Sequence, residues 1–142
     1  MNMNNYDKLI AVTAGDPAGI GPDICLELSN HLWSNKIIVL TDPSVLKERA
    51  KNLKKNIKIT EWDPKKINTG RLSENSLFVW PHYFKSEVLC GHPNSENSET
   101  VLSSLNSAID GCKKKIFKGM VTAPVNKAVI NQAGYQFTGH TE

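Results

Sequence analysis

Apolar positions follow two rhythms along this chain. Short apolar runs closed by Gly, Pro or Asp recur at "KLIAVTA" (8–14), "KIIVLTD" (36–42), "IKITEW" (57–62), "SLFVWP" (76–81) and "GMVTAP" (119–124), and predict strands. Helical patterns lie between them. "PDICLELSNHLW" (22–33) spaces Ile24, Leu28 and Leu32 four apart, and Pro22 suits a first helical position, where the N–H is unpaired anyway. Pro43 opens a second helix, "PSVLKERAKNLKK" (43–55). The longest helix is expected from about Ser98 to Phe117, with Val101, Leu102, Leu105, Ile109, Cys112 and Ile116 on its apolar face. "VNKAVINQAG" (125–134) predicts a last helix with Gly134 as its left-handed cap. Strand and helix alternate without a repeat or linker, which predicts one α/β domain over residues 1–142 with a mainly parallel sheet and flanking helices. Residues 1–7 read as a mobile polar tail. Ligands are expected at the loops after the carboxyl ends of the strands.

Composition narrows the function classes. The chain has 142 residues, enough for one domain with a real core. Its net charge of +3 is small, and Lys113, Lys114 and Lys115 read as a solvated helix end beside a favourable dipole. No basic face interleaved with aromatics points to nucleic acid. No apolar run approaches the ~18 residues of a membrane span, and "MNMNNYDK" lacks the basic and apolar regions of a signal peptide, so a cytoplasmic protein is expected. Cys25, Cys90 and Cys112 are widely spaced and read as reduced thiols.

The most informative stretch is "TAGDPAGIGPD" (13–23), where Gly15, Gly19 and Gly21 sit between a strand and a helix. Asp42 follows Gly21 at the distance where a dinucleotide fold places an acid for the ribose. The chemistry opposes that reading. A phosphate cradle needs free N–H groups at a helix start, and Pro22 removes one. Asp16 and Asp23 add negative charge, and a like-charge contact at ~4 Å and an effective dielectric of ~20 costs about 4 kcal/mol. The alternatives are glycines needed only for tight packing, or a loop lining a cleft of another kind, with Asp16, Gly19, Gly21 and Lys127 as cleft-lining candidates.

"GDPAGIGPD" resembles the amino-terminal glycine loop of the 4-hydroxythreonine-4-phosphate dehydrogenase family. It is similar, more loosely, to the GDGIGPE loop of isocitrate and isopropylmalate dehydrogenases, which bind NAD(P) without a Rossmann fingerprint. "PNSENSE" (93–99), "VTAPVNKAVINQAG" (121–134) and "FTGHTE" (137–142) resemble further motifs of the same family in the same order. Ser98 stands where the family usually has glycine. The resemblance covers almost the whole chain.

It implies a fold like the first domain of the isocitrate/isopropylmalate dehydrogenases, and His140 and Thr141 as contacts to a phosphorylated substrate. It further implies NAD or NADP, a divalent metal (Zn, Mg or Co), a homodimer, and oxidation of 4-(phosphooxy)-L-threonine with decarboxylation to 3-amino-2-oxopropyl phosphate in pyridoxal 5′-phosphate synthesis. The family's metal ligands and catalytic residues are expected in a second domain beyond Glu142. With only His31, His82, His92 and His140 here, no metal ligand is assigned and the chain alone is expected to be inactive. His82, among Trp80, Tyr83 and Phe84, reads as a packing residue, and His31 and His92 as surface residues. Two other classes compete: a short non-catalytic binding or interaction module, and an independent Rossmann-type oxidoreductase that Pro22 and Asp23 disfavour.

Overall fold

A computed structural model describes residues 9–31, 36–66 and 73–139. The tail 1–7, Leu32 and Trp33 of the first predicted helix, and the pair His140 and Thr141 lie outside the described residues. The elements run β1 (Leu9–Thr13), α1 (Gly21–Glu27), β2 (Lys36–Thr41), α2 (Pro43–Asn52), β3 (Lys58–Glu61), β4 (Ser76–Pro81), α3 (Ser98–Lys113), β5 (Gly119–Thr122) and α4 (Lys127–Gln132). The strands form one sheet in the order β3-β4-β2-β1-β5, and every pairing is parallel. The α/β class and parallel sheet expected from the sequence are therefore observed.

Alternation along the strands divides the core. Val12, Val39, Leu77 and Val79 point to one face and pack with Cys25 and Leu26 of α1 and Leu46 and Ala50 of α2. Leu9, Ala11, Ile38, Leu40 and Phe78 point to the other, against Ala108 of α3, Phe117 and Trp62. Central strands buried on both faces explain why they read as continuous apolar runs.

Two helices differ from the sequence reading. α1 stops at Glu27 and continues only as a 3₁₀ turn over Leu28–Asn30. Its buried face is Pro22, Cys25 and Leu26, continued by Ser29, whose hydroxyl donates to the Leu26 carbonyl at 2.7 Å. Ile24, expected inside, is 48% exposed, because the core stripe lies one residue from the one counted on large apolar side chains. In α3 Val101 and Leu105 are buried as read, but the rest of the buried face is small residues, Ser104, Ala108 and Gly111, while Ile109 falls at the flank. A Cβ at Gly111 would sit 2.4 Å from the Phe117 ring, so the helix lies close to the core there.

α3 ends at Lys113, short of the expected Phe117, through a two-bond cap. The Ile116 N–H donates to Gly111 and the Lys115 N–H to Cys112, with Lys115 left-handed at φ +60°. α2 closes identically: Lys55 donates to Ala50 and Lys54, at φ +55°, to Lys51. α4 ends on Gly134 at φ +97°, the cap read from the sequence.

Candidate functional site

β1 and β5 are neighbours at the point where strand order reverses. From β1 the chain passes through α1 to β2 on one side, whereas α3 delivers β5 to the other. Crevices at the carboxyl ends of strands at such a reversal are where open α/β sheets take ligands. Here the two loops are laced together. The Ala123 N–H donates to Thr13 at 2.9 Å and the Asp16 N–H to the Pro124 carbonyl at 3.1 Å. Gly15, at φ +74°, must be glycine, since a Cβ would lie 2.1 Å from the Pro124 oxygen. At Gly21 a Cβ would lie 1.8 Å from the Ala14 oxygen.

The loop is held from beneath by a residue that the sequence reading did not single out. Arg49 of α2 is buried, and its guanidinium donates to the Pro17 carbonyl at 2.6 Å and the Gly19 carbonyl at 3.1 Å. It also pairs with Asp23 at 3.0 Å. An arginine whose planar fork meets two carbonyls of the loop and a carboxylate in the first turn of α1 fixes the loop's path into the helix. Asp16 completes the turn, with its Oδ1 accepting from the Ala18 N–H at 2.9 Å.

Between this loop and the start of α4 lies an open cleft of about 550 Å³, whose lining includes Asp16, Gly19, Ile20, Pro124, Asn126 and Lys127. Asn126 caps α4, accepting from the Val129 N–H at 3.1 Å. Lys127 is exposed, and among the described residues no salt bridge includes it. A Cβ at Gly139 would sit 3.9 Å from Lys127 Nζ, so the segment leading to His140 and Thr141 passes beside the Lys127 ammonium, although Gly139 does not itself line the cleft. Of the four cleft candidates, Asp16, Gly19 and Lys127 line one hollow. Gly21 is buried behind its wall and shapes the cleft without lining it.

A hollow of similar size, about 560 Å³, lies beside Glu61, Trp62, Asp63, Trp80 and Tyr83 at the ends of β3 and β4. It is away from the strand reversal, and its acids are engaged within the protein. Glu61 accepts from the Tyr83 hydroxyl at 3.0 Å, and Asp63 from the Lys65 N–H at 2.8 Å. The cleft beside β1 and β5 is the better candidate.

The glycine loop does not fit a dinucleotide pyrophosphate. The N–H groups of Asp16, Ala18 and Gly19 already donate within the protein, to Pro124, the Asp16 carboxylate and the Asp16 carbonyl. Asp42, the apparent ribose acid, caps α2 through the Ser44 N–H at 2.9 Å and accepts from the Phe84 N–H at 3.2 Å. The electrostatic part of the objection is weaker than the sequence suggested, because Arg49 balances Asp23; the committed donors carry it instead. Among the described residues no three His, Cys, Asp or Glu side chains gather into a metal-binding group, so no metal step is derived.

His82 does not belong to the cleft. Its Nδ1 lies 2.9 Å from the Trp80 carbonyl and its Nε2 2.9 Å from Ser107 Oγ. Burial lowers its pKa, only partly opposed by the carbonyl contact, and it packs edge-on to Trp80 as a neutral ring. Burial also pushes the Cys25 thiol up to about 12, so it acts as a core side chain.

A parallel sheet with a crevice at its strand reversal, walled by a clamped glycine loop and a lysine-bearing turn, defines an α/β domain of the doubly wound class. Over residues 33–142 the chain matches the family described as "Pyridoxal phosphate biosynthetic protein PdxA", and it belongs to that family. It is 40% identical over 135 residues to the 4-hydroxythreonine-4-phosphate dehydrogenase of Vibrio vulnificus (strain YJ016), covering 95% of this chain and 41% of the relative. The enzyme of that name from Thioalkalivibrio sulfidiphilus is also 40% identical, over 133 residues that cover 94% of this chain and 40% of the relative. The crystal structure of 4-hydroxythreonine-4-phosphate dehydrogenase from Klebsiella pneumoniae superimposes with a TM-score of 0.80 at 25% identity, covering 94% of this chain and 42% of that one. The chain thus spans about 41% of the length of the curated relatives it matches.

Proposed function

We propose that this chain forms the substrate-side wall of a dehydrogenase acting on 4-(phosphooxy)-L-threonine in pyridoxal 5′-phosphate synthesis. The observation that supports this most is the placement of Lys127 on the cleft at the strand reversal, with Gly139 beside its ammonium. In that cleft the Lys127 ammonium offsets the charge of a phosphate. His140 and Thr141 donate to its oxygens, as the family resemblance implies, through charge-assisted bonds worth about 1.5–3 kcal/mol each. Asp16, held in its turn, keeps the opposite wall in place.

Oxidation of the substrate alcohol moves a hydride to an acceptor, for which NAD or NADP is proposed from the resemblance, and releases a proton. The β-keto acid left behind loses CO₂ to give 3-amino-2-oxopropyl phosphate. Groups outside the described residues are proposed to hold the dinucleotide and a divalent metal. A homodimer in the cytoplasm completes the reading.

The test is a chimera in which this chain replaces the matching 135 residues of the Vibrio vulnificus relative. Reduced-nicotinamide formation from 4-(phosphooxy)-L-threonine is the readout. Turnover that falls about tenfold or more on His140→Ala supports the proposal. A folded, active chimera indifferent to His140→Ala, Thr141→Val and Lys127→Ala together contradicts it.

A further inference from the structure

Asn97, at the start of α3, is 3% exposed and only half satisfied. Its Oδ1 accepts from the Ser86 N–H at 2.9 Å, which turns the amide nitrogen the other way. Among the described residues nothing accepts from that nitrogen. Buried polar groups are paired with protein or with water in the great majority of cases, so the orphan asks for a partner. Beside it lies a hollow of about 10 Å³, whose lining includes Asp16, Asn94, Asn97, Ser98 and Asn126. Asp16 and Asn126 line the cleft as well, so the hollow sits just behind the cleft wall.

The donor set selects the occupant. The carboxamide oxygens of Asn94 and Asn126 are committed like that of Asn97, to the Glu96 N–H at 2.9 Å and the Val129 N–H at 3.1 Å. What the three side chains have left to offer is chiefly N–H, which disfavours a cation. Asp16 offers the opposite. Its Oδ1 accepts from the Ala18 N–H, and among the described residues nothing donates to its Oδ2. A carboxylate there repels an anion. Size completes the choice, because ~10–15 Å³ is what one water needs. Water both accepts from an amide and donates to a carboxylate.

We propose that this hollow holds one ordered water that accepts from the Asn97 Nδ2–H and donates to the Asp16 carboxylate, fixing the glycine loop to the start of α3. Arg49 ties the same loop to α2, so the loop is held from both faces of the sheet. Asn97 is thereby a positioning residue, acting through the water on the acid that steadies the cleft wall. The water site stands whether or not the cleft takes a phosphorylated substrate, since no ligand enters the hollow.

The test is water-to-amide NOE and ROE spectroscopy on the isotope-labelled chain. A cross-peak between water and the Asn97 side-chain N–H₂, with the sign of a long-lived contact, is expected. It should persist in Ser98→Ala, which removes the hydroxyl lining the hollow that could relay exchange. A second measurement exchanges the pair. Asn97→Asp keeps an acceptor for Ser86 but sets a second carboxylate against Asp16 across the water, and should lower the folding constant about tenfold or more in urea titrations. Adding Asp16→Asn, which keeps an acceptor for Ala18, restores a donor and an acceptor across the water and should recover most of that loss. No water cross-peak at Asn97, its disappearance in Ser98→Ala, or a double variant as unstable as the sum of its singles overturns the proposal.

Discussion

Replacing Arg49 with Met keeps most of the buried side-chain volume and removes the clamp beneath the glycine loop. The Pro17 and Gly19 carbonyls lose their donors at 2.6 and 3.1 Å. A buried acceptor left without a partner costs about 1–3 kcal/mol. The Asp23 carboxylate contributes less, because its side chain is 36% exposed while that of Arg49 is 7% exposed, and water can replace the ion pair on the aspartate side. The sum is about 2–5 kcal/mol, a large part of a typical stability of about 5–15 kcal/mol. Asp23→Asn, by the same reasoning, costs less than about 1 kcal/mol. Arg49→Lys lies between them, since an ammonium cannot reproduce the planar fork. Urea unfolding followed by tryptophan fluorescence measures all three. Equal losses for Arg49→Met and Asp23→Asn would refute the view that carbonyl anchoring, rather than the ion pair, is what the arginine provides.

Three further outcomes follow from particular positions. Lys54→Gly and Lys115→Gly relieve left-handed strain at the two helix ends and should each stabilise the fold by about 0.5 kcal/mol, seen as a higher urea midpoint; unchanged midpoints would show that the strain is not there. Gly21→Ala should prevent folding or cost about 3 kcal/mol or more, because its Cβ meets a backbone oxygen. Gly19→Ala, whose nearest neighbour would be 3.6 Å away, should change stability by less than about 0.5 kcal/mol. Similar losses for the two glycines, by thermal unfolding, would contradict the packing account. Stability should also decline as pH falls below 6.5, because the unfolded chain binds a proton at His82 near that value while the folded chain resists it. His82→Gln should flatten that decline in urea midpoints measured between about pH 7 and 5, and an unaltered slope would place the proton elsewhere.

The strands were legible because a parallel sheet buried on both faces leaves unbroken apolar runs, as in Ile37–Leu40. Pro22, Pro43 and Gly134 marked helix ends through local backbone chemistry that needs no tertiary partner. The faces of α1 and α3 were less legible. Their sheet-facing positions hold Ser29, Ser104, Ala108 and Gly111, chosen for closeness to the sheet, so counting large apolar residues selected neighbours such as Ile24 and Ile109. In the site, the glycine loop drew attention to Asp16, Gly19 and Lys127, which line one cleft. Arg49 was not visible because it lies 30 residues from Gly19 in an amphipathic helix, where an arginine normally faces water. Asp42 mimicked a ribose acid because a helix cap and a ribose ligand occupy the same place after a strand.

The central claim is that the cleft between the glycine loop and α4 receives the phosphorylated substrate. An amide NMR titration of this chain with 4-(phosphooxy)-L-threonine tests it most directly. The account predicts saturable shifts confined to Asp16–Ile20, Asn126, Lys127 and the segment 139–141, weakened by Lys127→Ala. Shifts centred on Glu61, Trp62 and Tyr83, or no saturable shift at any concentration reached, would contradict it.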